Sequence, residues 1–305
     1  IFYVVNASGV NLTEAELALA QISGYWPEAR ELFKKKLFAL EKEGYVFRLD
    51  FIIYVILGCM YHLGSDMRKL HSEENRQRVK EVWNLLDTHT LDYVFNVMRS
   101  QAYIDHTAEI NSVYALLPII VYAFDKGKTP LTQDEINRAI KWFYYSQVRR
   151  RFISQLPQKL DKDLGIVARS DQPFDDLLGL IEMERPLEIK TDEFVGADIR
   201  NPLWGLMRWY FKSRSAVCFT TGMSIRKNMG KKYALEWDHI FPYSRLKEVG
   251  YGQDNRIKYQ LAQEISNRAV LTGTANRTKS YMRASDYLHE VKKNCPDALR
   301  LQSIP

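Results

Sequence analysis

The sequence predicts a mainly α protein, a helical array followed by a short module that reads strand, loop, strand, helix. Three observations lead there. Apolar residues recur at three- and four-residue intervals through the first half of the chain, as in "RVKEVWNLLDTH", which is the period of a helix that buries one stripe. Between 156 and 196 that signal breaks, with Pro157, Pro173 and Pro186 among mixed charges. After a last helical stretch the pattern changes to short alternating runs, "AVCFTTG" and "YALEWDHIF", the two-residue period of strands.

The opening "IFYVVNASGVNLTEAELALAQI" reads as a strand, a turn containing glycine, and a helix whose start is marked by Thr13 and Glu16 in the T-x-x-E spacing of a capping box. Helices are expected over 27–43, 49–63, 73–87, 91–103, 109–124 and 133–152, the last announced by the same spacing at Thr132 and Glu135. The proline-marked break is expected to be a hinge or linker with one short helix over 174–184. A helix over 201–212 carries Trp204, Trp209 and Tyr210, an aromatic face expected to pack on the strands rather than to stack on bases. Then come the two strands, separated by a long irregular stretch, and a helix through "TANRTKSYMRASDYLHEVKK". No repeat of fixed period is found. The "GKT" at 127–129 is no phosphate loop, because Tyr122 stands where the earlier glycine is needed and the segment joins two helices.

A length of 305 residues, 46% of them hydrophobic, supports roughly two domains with sizeable cores. The longest apolar runs, "FIIYVILGCMYHL" and "VYALLPIIVYAF", fall short of the roughly 20 residues of a membrane span, so they are expected to be buried helices and no membrane is implied. Ile1 is not preceded by an initiator Met, and no basic stretch leads into an apolar signal, so the chain is expected to be a piece of a longer protein and not a secreted one. Cys59, Cys218 and Cys295 are odd in number and far apart, with no C-x-x-C pair, which indicates neither a disulfide framework nor a cysteine-bound zinc and fits a reducing cytoplasm. The net charge of +6 is unevenly spread: between 199 and 293 there are 18 Lys and Arg against 7 Asp and Glu, so the remainder is net acidic. A concentrated basic segment favours a polyanionic partner, of which nucleic acid is the commonest.

The chemistry is carried by "ALEWDHIFPYSRL". Asp238 and His239 end an apolar strand just before a turn-forming proline, where either group unpaired would cost several kcal/mol. If the two strands pair and the following helix crosses them, the Asp238 carboxylate and the Asn276 amide approach one point, a set of few hard oxygen ligands of the kind Mg²⁺ accepts together with water and phosphate. A neutral imidazole beside it, His239, is suited to take a proton from water. Asn267 is placed to hold the other ring nitrogen or the backbone around it. Lys279, Ser280 and Arg283 fall three, four and seven residues after Asn276, on the same helical face, where they would meet backbone phosphates. Lys231 and Lys232 are read as tracking a phosphate backbone or as a solvated strand edge.

"DHIFPYS", Asn267 and "NRTKS" together resemble the His-Asn-His (HNH, ββα-metal) nuclease motif in its variant ending in Asn. The resemblance implies that His239 is the general base, that Asn267 orients it, and that Asp238 and Asn276 bind one Mg²⁺ or Mn²⁺, with Asn276 contributing to catalysis through the metal. Arg277 would join Lys279 and Arg283 on the nucleic acid. The opening "IFYVVNASGVNLTEAEL", the helical middle, the "DHIFP" end and "SDYLHEV" followed by "ALRLQSIP" look like the GmrSD-type modification-dependent restriction endonucleases, bacterial anti-phage proteins in which a ParB-like nucleotide-hydrolysing domain precedes the nuclease. The family's D-G-Q-Q-R nucleotide motif is absent, so a nucleotide would act only through a domain outside this chain. On this reading 1–25 ends the ParB-like domain, 26–196 is helical with a linker, and 197–305 is the ββα-metal nuclease. The partner would be double-stranded DNA, modified or foreign, with dimerisation to cut both strands left open. The rival readings are a DNA-binding or sensor module without catalysis and an RNA-cleaving toxin nuclease.

Overall fold

The computed structural model describes residues 12–226 and 235–304. The opening strand expected from the sequence, together with Lys231 and Lys232, lies outside them. The fold is mainly helical, with one two-stranded sheet among the described residues. It divides into two compact units, Ile1–Leu187 and Glu188–Pro305, and no described helix is long and apolar enough to cross a membrane.

The first unit contains α1 (Glu14–Tyr25), α2 (Ala29–Lys42), α3 (Leu49–Tyr61), α4 (Arg76–Leu85), α5 (Leu91–Ser100), α6 (Leu117–Asp125), α7 (Gln133–Val148), α8 (Leu156–Val167) and α9 (Pro173–Glu184). Both expected capping boxes form, Thr13 with Glu16 and Thr132 with Glu135. Helix α3 is the centre of the unit, because nine of its thirteen residues are buried, as befits a helix apolar on all sides. At Gly58 a methyl group would lie 2.9 Å from Val121 and 3.3 Å from Leu164, so glycine is what lets α6 and α8 approach α3.

Three expectations are corrected here. The proline-marked segment is largely helical: Pro157 and Pro173 sit in the first turns of α8 and α9, where the missing N–H would have had no partner anyway. Arg151, whose side chain is 2% exposed, reaches from the turn before α8 to the fully buried Asp163 at 2.7 Å and also pairs with Glu184, which ties α8 and α9 into the unit rather than leaving them as a linker. The helix expected over 109–124 is shortened to α6, because the Gln147 side chain accepts from the Asn111 and Ser112 amides and donates to the Ser112 carbonyl, holding that stretch out of helical register. Between α4 and α5 the chain does not stop but continues through a π-helical turn, Leu86–Thr90.

The second unit contains α10 (Pro202–Ser213), β1 (Leu235–His239), α11 (Tyr243–Glu248), α12 (Arg256–Ala262), β2 (Arg268–Thr272), α13 (Gly273–Lys279), α14 (Ala284–Asn294) and α15 (Pro296–Leu301). The strands are antiparallel, with Trp237 opposite Val270, Asp238 opposite Ala269 and His239 opposite Arg268. The stretch between the strands, expected to be irregular, carries α11 and α12. The run "AVCFTTG" forms a single bridge, Val217 to Ser224, rather than a strand. One face of the sheet packs Ala269 and Leu271 against Ala275, Tyr287, Val291 and Leu299. The other packs Val270 against Phe211, Ala216 and Ile225. The aromatic face of α10 meets the sheet as expected, with Trp204 and Trp237 edge to face at 4.2 Å, while Tyr210 stays exposed.

Glu135 shows how a cap and an ion pair combine. Burial pushes its carboxyl upward, but Lys126 at 2.8 Å, the Tyr122 hydroxyl at 2.6 Å and the Thr132 amide at 2.7 Å outweigh that and hold it at about 2. Its folded value is depressed, so its contribution is complete above about 4.5 and is lost as pH falls toward about 2. Glu135→Gln is expected to lower stability near neutral pH by about 1–2 kcal/mol, allowing for its partial exposure. Urea titrations of both forms down the pH scale check this, with the two curves converging in acid; a gap that persisted there would rule out an ionic origin.

Candidate active site at the end of the first strand

Alternation along β1 sends Glu236 and Asp238 to one face and Trp237 and His239 to the other. The face with the carboxylates is crossed by α13. That helix starts directly from β2, since Thr272 is both the last residue of the strand and the N-cap, accepting from the Ala275 amide at 3.2 Å. Gly273 makes room at the crossing: a methyl group there would lie 2.6 Å from Glu236 Oε1 and would push that side chain aside. Asn276 and Lys279, three residues apart on one side of α13, face the two carboxylates. Asn276 Nδ2 donates to Glu236 Oε2 at 2.8 Å. Lys279 Nζ pairs with Asp238 and donates to the His239 carbonyl at 2.6 Å.

Burial raises the Asp238 carboxyl, but the Lys279 ammonium and the His239 backbone N–H outweigh this and hold it at about 2. The acid is a carboxylate across the physiological range. His239 Nδ1 lies 3.8 Å from Asp238 Oδ1, beyond hydrogen-bond distance. Its Nε2 lies 3.2 Å from Gln263 Oε1, an atom that also accepts from Arg268 Nη2 at 2.7 Å. Asn267 takes the backbone role of the two expected for it. Its Oδ1 accepts from the Phe241 amide at 2.8 Å, its Nδ2 donates to the Ala262 carbonyl at 3.0 Å and more weakly to that of Phe241, and its own carbonyl accepts from the Ile240 amide at 2.9 Å. The turn after His239 is therefore clamped on the approach to β2. Tyr287, whose phenol burial pushes well up, adds a bond to the Ile240 carbonyl.

Asp238, His239 and Lys279 thus gather around the end of β1, with Asn267 behind them, while Asn276 is bonded to Glu236 two residues earlier in the strand. Lys279, expected on phosphate, is 3% exposed and committed to Asp238 and the His239 carbonyl. Arg277 and Arg283 are exposed, but Arg283 does not share the face of Asn276. The helix ends at Lys279, Ser280 turns the chain with φ 39°, and Arg283 caps the next helix. Sequence reasoning missed three residues. Glu236 carried a signal, being two residues before Asp238 in an alternating strand. Gln263 and Arg268 carried none, since their meeting depends on how α12 and β2 fold back on β1.

Among the described residues no group of three or more His, Cys, Asp and Glu side chains is placed to hold a metal ion. At the seam two carboxylates stand on one face of β1, Asp238 paired with Lys279 and Glu236 accepting from the Asn276 amide, and oxygens of this hard kind are those a small divalent cation takes with water completing its shell. The ammonium of Lys279 already occupies one side of Asp238, so the seam draws positive charge as it stands. A small, open pocket lies beside α13 and α14. Its walls include Phe219, Leu271, Met282 and Val291 with Glu290 as the one carboxylate, so the acid, amide and imidazole groups do not converge there. In comparisons with known proteins, no family model, no curated protein and no solved structure matches the chain.

Asn267→Ala removes the side-chain bonds that hold the turn after His239, and the second unit is expected to lose about 2 kcal/mol of stability. Chemical denaturation followed by the Trp204–Trp237 fluorescence checks it, and an unchanged midpoint would mean that the clamp is dispensable.

Proposed function

We propose that the chain is a metal-dependent DNA endonuclease of the His-Asn-His, ββα-metal type, hydrolysing phosphodiester bonds in restriction of phage or modified foreign DNA. What supports it best is the seam between β1 and α13, where the Asp238 carboxylate is held at about 2 with the His239 imidazole 3.8 Å away at the strand end, and Asn276 faces the same side of the strand, bonded to Glu236 two residues earlier. Strand, strand and helix follow one another there in the order the motif requires. The GmrSD-type assignment rests on the sequence resemblance alone.

Asp238 and Asn276 would hold Mg²⁺ or Mn²⁺, with Glu236 beside them. When bound, such an ion supplies charge neutralisation at the phosphate and at the leaving oxygen. His239 takes a proton from water, the oxygen of that water forms a bond to phosphorus, and the bond from phosphorus to the 3′ oxygen breaks, the departing oxygen taking a proton from solvent. Lys279 holds Asp238 and the His239 carbonyl together, so acid and base keep their spacing. Arg277 and Arg283, both exposed, contribute sequence-independent contacts to backbone phosphate.

A second reading, a DNA-binding module without catalysis, is favoured by one observation: Lys279 already neutralises Asp238. Metal dependence separates the two. His239→Ala is expected to reduce plasmid cleavage in Mg²⁺ by a factor on the order of 10²–10⁴ while DNA binding is retained. Undiminished cutting would remove His239 from its role. Binding without any cutting by the parent protein, equal in chelator and in Mg²⁺, would favour the binding module, and cutting confined to matched RNA would favour a ribonuclease.

A further inference from the structure

We infer that Gln263 is a positioning residue that sets the tautomer of His239, keeping the ring proton on Nε2 so that Nδ1 presents its lone pair on the side of Asp238. What this does to a rate rests on the nuclease reading; the tautomer itself does not.

The argument starts from Arg268, whose guanidinium donates hydrogen bonds and accepts none. Its Nη2 lies 2.7 Å from one terminal atom of the Gln263 amide, so that atom is the oxygen. The same oxygen lies 3.2 Å from His239 Nε2. An amide oxygen has no hydrogen to give, so the hydrogen of that bond comes from the ring. A neutral imidazole has a single N–H, and Nδ1 is therefore bare. The competing arrangement, an Nδ1–H donated to Asp238, has its heavy atoms 3.8 Å apart, too far for a hydrogen bond, and Asp238 is already paired with Lys279.

The assembly is built into the fold rather than left to chance contacts. Arg268 stands directly opposite His239 in the ladder, so the residue that orients the amide is fixed by the sheet. Gln263 is the first residue beyond α12, and its place is set by the Asn267 bond to the neighbouring Ala262 carbonyl. The Tyr243 ring lies nearly parallel to the imidazole at 5.9 Å, and the His239 side chain is 13% exposed, which restricts rotation of the ring. Gln263 thus keeps the proton on the nitrogen away from Asp238 and leaves the other nitrogen free to accept one from water.

The test uses the full chain with ¹⁵N-labelled histidine, free of metal and DNA, at a pH about two units above the ordinary imidazole value of about 6.5. The parent protein is expected to show His239 with a protonated Nε2 and a bare Nδ1. Gln263→Glu, which keeps an oxygen acceptor, is expected to give the same pattern. Gln263→Met, similar in length but without an acceptor, is expected to move proton density to Nδ1, where Asp238 is the remaining acceptor. In plasmid cleavage Gln263→Met should lose about tenfold or more in kcat with DNA affinity unchanged, and Gln263→Glu should recover most of that loss. A parent spectrum with the proton on Nδ1, or a Gln263→Met protein with unaltered spectrum and rate, would overturn the inference. Absence of cleavage by every form, with the expected nitrogen pattern intact, would instead count against the nuclease reading and leave the tautomer assignment standing.

Discussion

The ladder that sets Asp238 opposite Ala269 and His239 opposite Arg268 decides which groups of the second unit can meet. Strand side chains alternate, so a slip of one residue would turn Trp237 toward Lys279 and push Asp238 into the aromatic contact with α10. Several independent bonds resist that slip. The Ile240 amide is held by the Asn267 carbonyl, the Ile240 carbonyl by Tyr287, and the Phe241 backbone by the Asn267 amide. With the strands locked, α13 has one entry angle, because Thr272 ends the strand and caps the helix at once.

The ion pair of Lys279 with Asp238 carries a second constraint. An ammonium that is 3% exposed would be costly without its partner, and removing either charge leaves the other stranded in a poorly solvated seam. Its value lies less in net stability than in geometry, since the same ammonium also binds the His239 carbonyl and so fixes carboxylate and imidazole relative to one helix. Arg151 with Asp163 plays a comparable part in the first unit, where a buried pair holds α8 and α9 to the rest. In both places charge specifies an arrangement that apolar packing alone would leave loose.

Much of this was legible from the residues. Capping boxes at Thr13 and Thr132, the apolar run of α3 and the alternation through Trp237 and His239 each follow from local chemistry that survives folding. The proline-marked segment was misread because a proline in a first helical turn and a proline in a linker look alike in one dimension. The helix through Asn276 was drawn too long because nothing in "TKSYMR" announces the positive φ at Ser280. At the candidate site, the approach of Asp238 and His239 follows from their place at a strand end, Asn276 comes to the same face of the strand but onto Glu236, and Glu236 itself was within reach of the strand period. Gln263 and Arg268 were not, because their encounter with His239 is tertiary: it depends on two short helices and a strand pairing across sequence separations that no local pattern encodes.

One small feature at the chain's far end bears on how the protein behaves in company. Gln302, buried at 2% exposure, places its side-chain oxygen on the Val270 amide and its nitrogen on the Val270 carbonyl, both at 2.7 Å. These are the groups that the outer rim of β2 would otherwise offer to a passing extended segment. A single glutamine amide thus imitates a neighbouring strand where none lies among the described residues, and at Val270 the rim is closed to self-templated growth of the kind that turns an open ribbon into an aggregate.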